Sequence, residues 1–259
     1  MNLGFVGTGE ITSAMVTGLS SFGSDVHSIR LSPRNLEVAT NLARRFPGVS
    51  IASSNQAVLD GSGIVVIAVK PPLVQSVLSQ LHFRPDHAVI SVVSGHSLES
   101  ISNLVAPATR VIRAVPLPST AKRIGPTAIY PQDGIAEEVF AAIGTVFSAN
   151  DEHEFEAICA VTSTIATFYA WMAAISSWLT RNNVPASKAQ EYVVRMFYGV
   201  TSGAVNAPEQ DFQSLAASHA TAGGINEQFL SHMLRSGTLD HISKSLDAVL
   251  ARINAGFRK

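Results

Sequence analysis

Charge and cysteine are what this sequence has little of. Only 14% of its 259 residues are charged, the formal net charge is -1, and Cys159 is its one cysteine. Without a basic excess there is no electrostatic footprint for nucleic acid, and without an acidic tail one signature of disorder is missing. A lone cysteine excludes an intramolecular disulfide and a cysteine-based zinc site, and it fits a reducing cytoplasm. Lying in an apolar run, Cys159 reads as a buried structural thiol. The eight histidines show no metal-binding spacing, so no metal is expected. No charged segment precedes an apolar one at the N-terminus, so no signal peptide is expected. The one long apolar stretch, Ala157 to Leu179, could span a bilayer by length. Its Thr and Ser content and the lack of Lys/Arg asymmetry around it predict instead a helix buried in a protein interior, with no membrane partner.

What is present is 46% hydrophobic residues over a length that suits one large domain or two smaller ones. The chain is organised around its opening stretch, NLGFVGTGEITSAMVTGL. An apolar run, Leu3 to Val6, meets Gly7-Thr8-Gly9 and passes into a segment with Ile11, Met15 and Leu19 at helical spacing, which reads as strand, tight turn, helix. In a dinucleotide site Gly7 permits the turn, Gly9 lets backbone approach a pyrophosphate, and the first helical N–H groups meet its oxygens. Thr12 stands where the third glycine of the usual pattern would be.

Further strands are expected at Val26 to Leu31, Val49 to Ala52, Ile64 to Val69, Ala88 to Val93, Thr109 to Ala114 and Thr127 to Tyr130, alternating with helices. Such alternation predicts a parallel sheet covered on both faces, with ligands at the carboxyl ends of its strands. The second strand is followed by Ser32-Pro33-Arg34-Asn35, with no carboxylate for a ribose 2′-hydroxyl. A hydroxyl, a guanidinium and an amide suit a 2′-phosphate, so NADP(H) is expected rather than NAD. Asn35 is placed to cap a helix from Leu36 to Phe46. From about Asn150 only helical periodicity remains: Glu154 to Arg181, Ala186 to Asn206, Glu209 to Ala217, Gly224 to Ser236 and Leu239 to Phe257. The expected architecture is α/β, a Rossmann-type doubly wound sheet over residues 1–150 followed by an all-helical domain over 151–259.

Several segments together resemble the pyrroline-5-carboxylate reductases, the last enzyme of proline synthesis. GFVGTGEITSAMVTGL is similar to that family's opening, Ile67-Ala68-Val69-Lys70-Pro71 matches its AVKP, and Ser91 to Gly95 resembles its S-x-x-AG loop. Arg113-Ala114-Val115-Pro116 resembles the start of R-x-MPN, and Thr221-Ala222-Gly223-Gly224 resembles its SPGG. The resemblance implies NADPH along Val6, Gly7, Thr8, Gly9, Glu10, Ile11, Ser32, Arg34, Asn35, Asn55, Ala68, Val69, Lys70 and Pro71, with the nicotinamide near Ser94 and Gly95. It also implies a substrate between the two domains, and a homodimer or larger homo-oligomer through the C-terminal helices.

The departures cluster elsewhere. The family's SGSGPAY corresponds to Thr162 to Phe168, TSTIATF, and the threonine pair after Gly-Gly is Ile225-Asn226. These positions surround the substrate in the family. Backbone N–H groups of Gly223, Gly224 and Ile225 are expected to hold a substrate carboxylate, with Thr221 or Asn226 adding a side-chain hydrogen bond and Lys70 near the reacting centre. The expected reaction is hydride transfer to a cyclic imine carboxylate, pyrroline-5-carboxylate to proline. Reduction of a different imine or ketimine, or a catalytically silent NADP-binding regulatory protein, stands as the alternative. A 3-hydroxyacid dehydrogenase is disfavoured, because Glu154 to Arg181 contains no lysine.

Overall fold

A computed structural model describes residues 1–21, 26 and 28–256. Its α/β part is an eight-stranded sheet in the order β3-β2-β1-β4-β5-β6-β7-β8. The strands are β1 (Asn2–Val6), β2 (Ser28–Leu31), β3 (Val49–Ile51), β4 (Ile64–Ile67), β5 (Ala88–Ser91), β6 (Arg110–Val115), β7 (Pro126–Tyr130) and β8 (Thr145–Ser148). The first six run in the order of a dinucleotide-binding sheet, which reverses direction of winding between β1 and β4. Those two strands pair in parallel, with Gly4 opposite Val65 and Phe5 opposite Val66.

Alternation along the buried strands sends side chains to two separate cores. Phe5, Val66, Ile90 and Ile112 join one with Met15 and Leu19 of α1 (Glu10–Ser20), Leu42 of α2 (Leu36–Arg45) and Phe140 of α6 (Gly134–Ala141). Val65, Ile67, Val89 and Val111 join the other with Leu59 of α3 (Asn55–Asp60), Leu78 of α4 (Val74–Leu78) and Ile101 of α5 (Leu98–Leu104). Every residue of β4 is buried, as its unbroken IVVI run requires of a strand covered on both faces. Each fully buried side chain of this size contributes about 1.5–3 kcal/mol relative to solvent.

The strands end earlier at their carboxyl edge than the apolar runs suggest. Ala68 and Val92 still donate to the carbonyls of Val6 and Ile67 at 2.8 and 3.0 Å, and the residues after them, Val69-Lys70 and Val93-Ser94, form the edge loops. The second strand begins at Ser28 among the described residues; His27, included in the expected strand, lies outside them, as does Phe257 of the last expected helix. β6 and β7 pair antiparallel, which corrects the expectation of an all-parallel sheet. Their connection holds only a 3-10 turn, Pro118–Lys122, and lacks the full crossover that a parallel pair needs. β8 was not anticipated: it is four residues at the sheet edge, and Phe147 on it is exposed.

The chain divides into two compact units, Met1–Ala160 with Leu250–Lys259, and Val161–Val249. The expected long helix is two, α7 (Glu152–Val161) and α8 (Thr164–Arg181). At the break, the Thr164 hydroxyl donates to the Val161 carbonyl at 2.8 Å, a local bond that competes with continuing helix. In the second unit α8 pairs with α9 (Ala186–Val205), where the rings of Phe168 and Trp171 lie 5.7 and 5.1 Å from that of Phe197. The unit is completed by α10 (Phe212–His219), α11 (Ile225–Arg235) and most of α12 (Thr238–Asn254). No residue of α8 is buried within the single chain, contrary to the expected interior helix. The stretch Glu152–Arg181 is long and apolar enough to cross a membrane by length and composition, with 6% of its most apolar window buried.

Candidate functional site

The Gly7-Thr8-Gly9 turn sits at the carboxyl end of β1, beside the loop that follows β4. Gly7 has φ +103, and a Cβ there would strike the Ala68 carbonyl, so only glycine fits. Its N–H donates to the Ser32 hydroxyl at 3.0 Å, and the Thr8 hydroxyl donates to the Ser32 carbonyl at 2.8 Å. Thr12 occupies the missing third glycine position without strain, its hydroxyl donating to the Gly7 carbonyl at 2.7 Å. The close helix packing that a third glycine would allow occurs further along α1, where Gly18 lies against the Thr120 carbonyl.

Gly9 differs from Gly7 in a way that bears on ligand binding. A Cβ on Gly9 would meet nothing within 4 Å, and Gly9 is the N-cap of α1 with no side-chain hydrogen bond. The first turn of α1 therefore presents uncapped N–H groups, backed by the helix dipole, to open space over the sheet edge. A pyrophosphate fits that cradle.

Ser32, which the sequence places at the cofactor, is fully buried, and its hydroxyl is engaged by Gly7 and Thr8. Its part is to fix the turn. Arg34 is exposed and lines a cavity of about 520 Å³ with Ser54, Asn55, Gln56, Leu73 and Val77. Asn35 stands at the N-cap of α2, yet its side chain makes no capping bond, contrary to expectation. Ser54 does cap, accepting from Ala57 N–H at 3.1 Å.

At the other end, Ala68 to Pro71 and Ser94-Gly95 form neighbouring loops after β4 and β5. Gly95 has φ +74, a left-handed conformation that favours glycine. Nε2 of His96 lies 3.3 Å from the Pro71 carbonyl and ties the loops together. Lys70 is exposed at the start of a 3-10 turn, Pro71–Leu73. A cavity of about 440 Å³ opens here, lined by Pro71, Gly95, His96, Glu156, Asn254 and Gly256 among others. Burial pushes the Cys159 thiol up to about 11, so it is a protonated packing group at neutral pH.

In the second unit, Thr221, Ile225 and Asn226 are exposed around Gly223, whose φ is +72. The expected carboxylate cradle is partly filled by the chain itself. Gly223 N–H donates to Glu227 Oε2 at 2.7 Å, and Gly224 N–H donates to the Thr221 carbonyl at 2.8 Å. Of the three expected donors, Ile225 N–H is the one left open at the start of α11.

The partners of Arg113 are not apparent from its motif. This residue is 2% exposed, and its guanidinium lies within 2.5 Å of Glu152 and 3.3 Å of Glu156. The available signal was the spacing of those glutamates, four residues apart and so on one face of α7.

Comparisons with known proteins agree with this geometry. Residues 2–95 match the model of NADP oxidoreductase, coenzyme F420-dependent, and residues 152–255 match that of pyrroline-5-carboxylate reductase dimerisation. The pyrroline-5-carboxylate reductase of Vibrio alginolyticus is 23% identical, with 96% of this chain and 95% of that protein covered. Among solved structures, 1-pyrroline-5-carboxylate reductase from Streptococcus pyogenes superposes with a TM-score of 0.85 at 23% identity, with 98% of each chain covered. The Plasmodium falciparum pyrroline carboxylate reductase with NADP bound gives 0.83 at 17% identity, with 98% of this chain and 97% of that chain covered.

A doubly wound sheet with a glycine turn opening onto an uncapped helix, followed by a helical unit, defines an NAD(P)-dependent oxidoreductase of the Rossmann type. One matched segment, 2–95, covers the first five strands, and the other, 152–255, covers the helices from α7 onward. The chain belongs to the pyrroline-5-carboxylate reductase family.

Proposed function

We propose that this protein reduces a cyclic imine carboxylate with NADPH, taking 1-pyrroline-5-carboxylate to L-proline. The observation that supports it most is the open, uncapped start of α1 beneath Gly9, placed as a pyrophosphate would need it, in a chain of this family. In this reading the backbone from Val6 to Ile11 holds the diphosphate, and Arg34 and Asn35 hold the 2′-phosphate. Asn55 lies at the adenosine end. Ala68 to Pro71 and Ser94-Gly95 shape the slot for the nicotinamide. Bound NADPH would supply the hydride. A protonated imine carbon is already electrophilic, so the chain's own contribution is orientation and exclusion of water. Thr221, Gly223, Gly224, Ile225 and Asn226 are the proposed substrate contacts, and Lys70, Thr221 and Asn226 the residues proposed nearest the reaction. The helical half is proposed to build a homodimer or larger homo-oligomer, and the protein is proposed to work in the cytoplasm.

Addition of pyrroline-5-carboxylate to the protein and NADPH is expected to consume NADPH with formation of proline. No consumption above background would overturn this reading. The unaltered protein is also expected to prefer NADPH to NADH. Arg34→Ala narrows that preference by about 10- to 100-fold, the worth of one or two charge-assisted hydrogen bonds to phosphate. Equal affinities before mutation would remove Arg34 from the site.

One observation favours a second reading, an imine without the pyrroline carboxylate. Glu227 places its own carboxylate at the start of α11, where a like-charged substrate group would be repelled. A screen of NADPH oxidation over cyclic imine acids of different ring size and over neutral cyclic imines separates the two. Turnover confined to the neutral compounds selects the second.

A further inference from the structure

We infer that Glu152, held by Arg113, is a positioning residue for the nicotinamide end of the cofactor site. The inference rests on the proposed placement of that ring against the loop after β5.

Arg113 belongs to β6, next to β5 in the sheet. Its side chain is 3% exposed and points under α7, with its guanidinium carbon 4.6 Å from the centre of the Phe155 ring. A charge buried this deeply requires compensation, and two carboxylates supply it. Nη1 donates to Glu152 Oε1 at 2.5 Å and to Glu156 Oε1 at 3.3 Å. Fixing the helix on the sheet would need nothing more.

Each carboxylate does something further. Glu152 Oε1 also accepts the backbone N–H of Leu98 at 2.7 Å. Leu98 is the first residue of α5, four positions beyond Ser94, so this bond pins the far end of the Ser94-Gly95-His96-Ser97 loop. The near end is fixed by β5, and the middle by the His96 contact to Pro71. Glu156 reaches another part of the lining of the same cavity: with the Asn254 amide oriented so that its nitrogen faces the carboxylate, it donates to Glu156 Oε2 at 2.6 Å. Asn254 and Gly256 line that cavity together with Gly95 and His96. One buried cation thus sets, through two carboxylates on one helix face, both the loop and the tail that bound the cavity. Ser97 caps α5 by accepting from Ser100 N–H at 3.1 Å. The Glu152 bond therefore adds placement of the loop, beyond ordinary capping.

The consequence is local. Glu152→Ala removes the acceptor for Leu98 and half of the compensation for Arg113, so the loop after β5 loosens while the adenosine end, held by Arg34 and Asn55, does not change. NADPH is expected to bind about tenfold more weakly to Glu152→Ala, as for loss of one charge-assisted bond. Adenosine 2′,5′-bisphosphate, which reaches only the adenosine end, is expected to bind as before. Glu152→Gln keeps an acceptor for Leu98 and is expected to recover most of the NADPH affinity. Amide hydrogen exchange in the ligand-free protein is expected to speed up over Ser94 to Leu104 in Glu152→Ala and not over β1.

Equal weakening of both ligands, or unchanged exchange over Ser94 to Leu104, would overturn the inference. Failure of the unaltered protein to bind NADPH would instead sink the cofactor reading, and the exchange measurement would still decide whether Glu152 pins the loop.

Discussion

Gly9→Val is expected to abolish NADPH binding while leaving the protein folded. Gly9 has φ -100 and ψ -163, extended values that valine adopts readily, and its Cβ would project into space free of chain atoms within 4 Å. Changing an N-cap glycine to valine costs on the order of 1 kcal/mol, a shift of a few degrees in melting temperature for a chain of this size. The branched side chain fills the space where phosphate oxygens must approach the N–H groups of α1. Loss of those charge-assisted bonds predicts at least a 100-fold fall in NADPH affinity.

Gly7→Ala makes the informative contrast. There the new Cβ collides with the Ala68 backbone at a residue with φ +103, so β1 and the loop after β4 must part. That variant is expected to lose stability and cofactor together, since strain at such a position costs about 1–3 kcal/mol before any clash. Calorimetric titration with NADPH alongside thermal melts separates the cases. If Gly9→Val bound NADPH like the unaltered protein, the glycine turn would have no ligand and the oxidoreductase reading would lose its main support.

The glycine motif already gives these two positions different roles, and the structure adds the physical reason: a Cβ at Gly7 strikes the Ala68 backbone, while one at Gly9 meets nothing within 4 Å. The sheet itself was legible, because strands buried on both faces must be continuous apolar runs, and IVVI at 64–67 can hardly be anything else. β8 was not, because a four-residue edge strand with exposed Thr145 and Phe147 carries no burial signal. Position without burial misled the reading of Ser32. It lies where a cofactor contact belongs, but its hydroxyl turns inward, which no pattern of neighbouring residues reveals. Glu227 is a similar case: a glutamate three residues after Gly224 reads as a helix-start residue, and its occupation of Gly223 N–H depends on a backbone shape visible only in three dimensions. Arg113 stands out in the sequence by its motif alone, because the i, i+4 glutamates that neutralise it, Glu152 and Glu156, lie about forty residues away.

Trp178→Glu is expected to split the assembly and stop turnover. Tyr169, Trp171 and Trp178 on α8 are 65%, 42% and 56% exposed in the single chain, a density of aromatic surface that water does not favour. A bilayer or a second copy of the chain could cover such a helix. The segment before α8 carries Glu152, Glu154 and Glu156, and two of them are committed to Arg113, so the whole of Glu152–Arg181 is ill suited to hydrocarbon. The dimerisation model spanning 152–255 favours the second copy. Removing one large aromatic side chain from such an interface costs on the order of 2–3 kcal/mol, and a two-fold axis counts each substitution twice. The sum, about 4–6 kcal/mol, raises the dissociation constant roughly 10³- to 10⁴-fold, before any cost of burying the new carboxylate. Light scattering should therefore report a homo-oligomer for the unaltered chain and a monomer for Trp178→Glu. The monomer should still bind NADPH, because the glycine turn lies wholly in the first unit, but it should not reduce substrate, because the helical half lacks its counterpart. An unaltered chain that is monomeric at micromolar concentration would overturn this account, and its partition into lipid vesicles would assign the exposed face of α8 to a membrane instead.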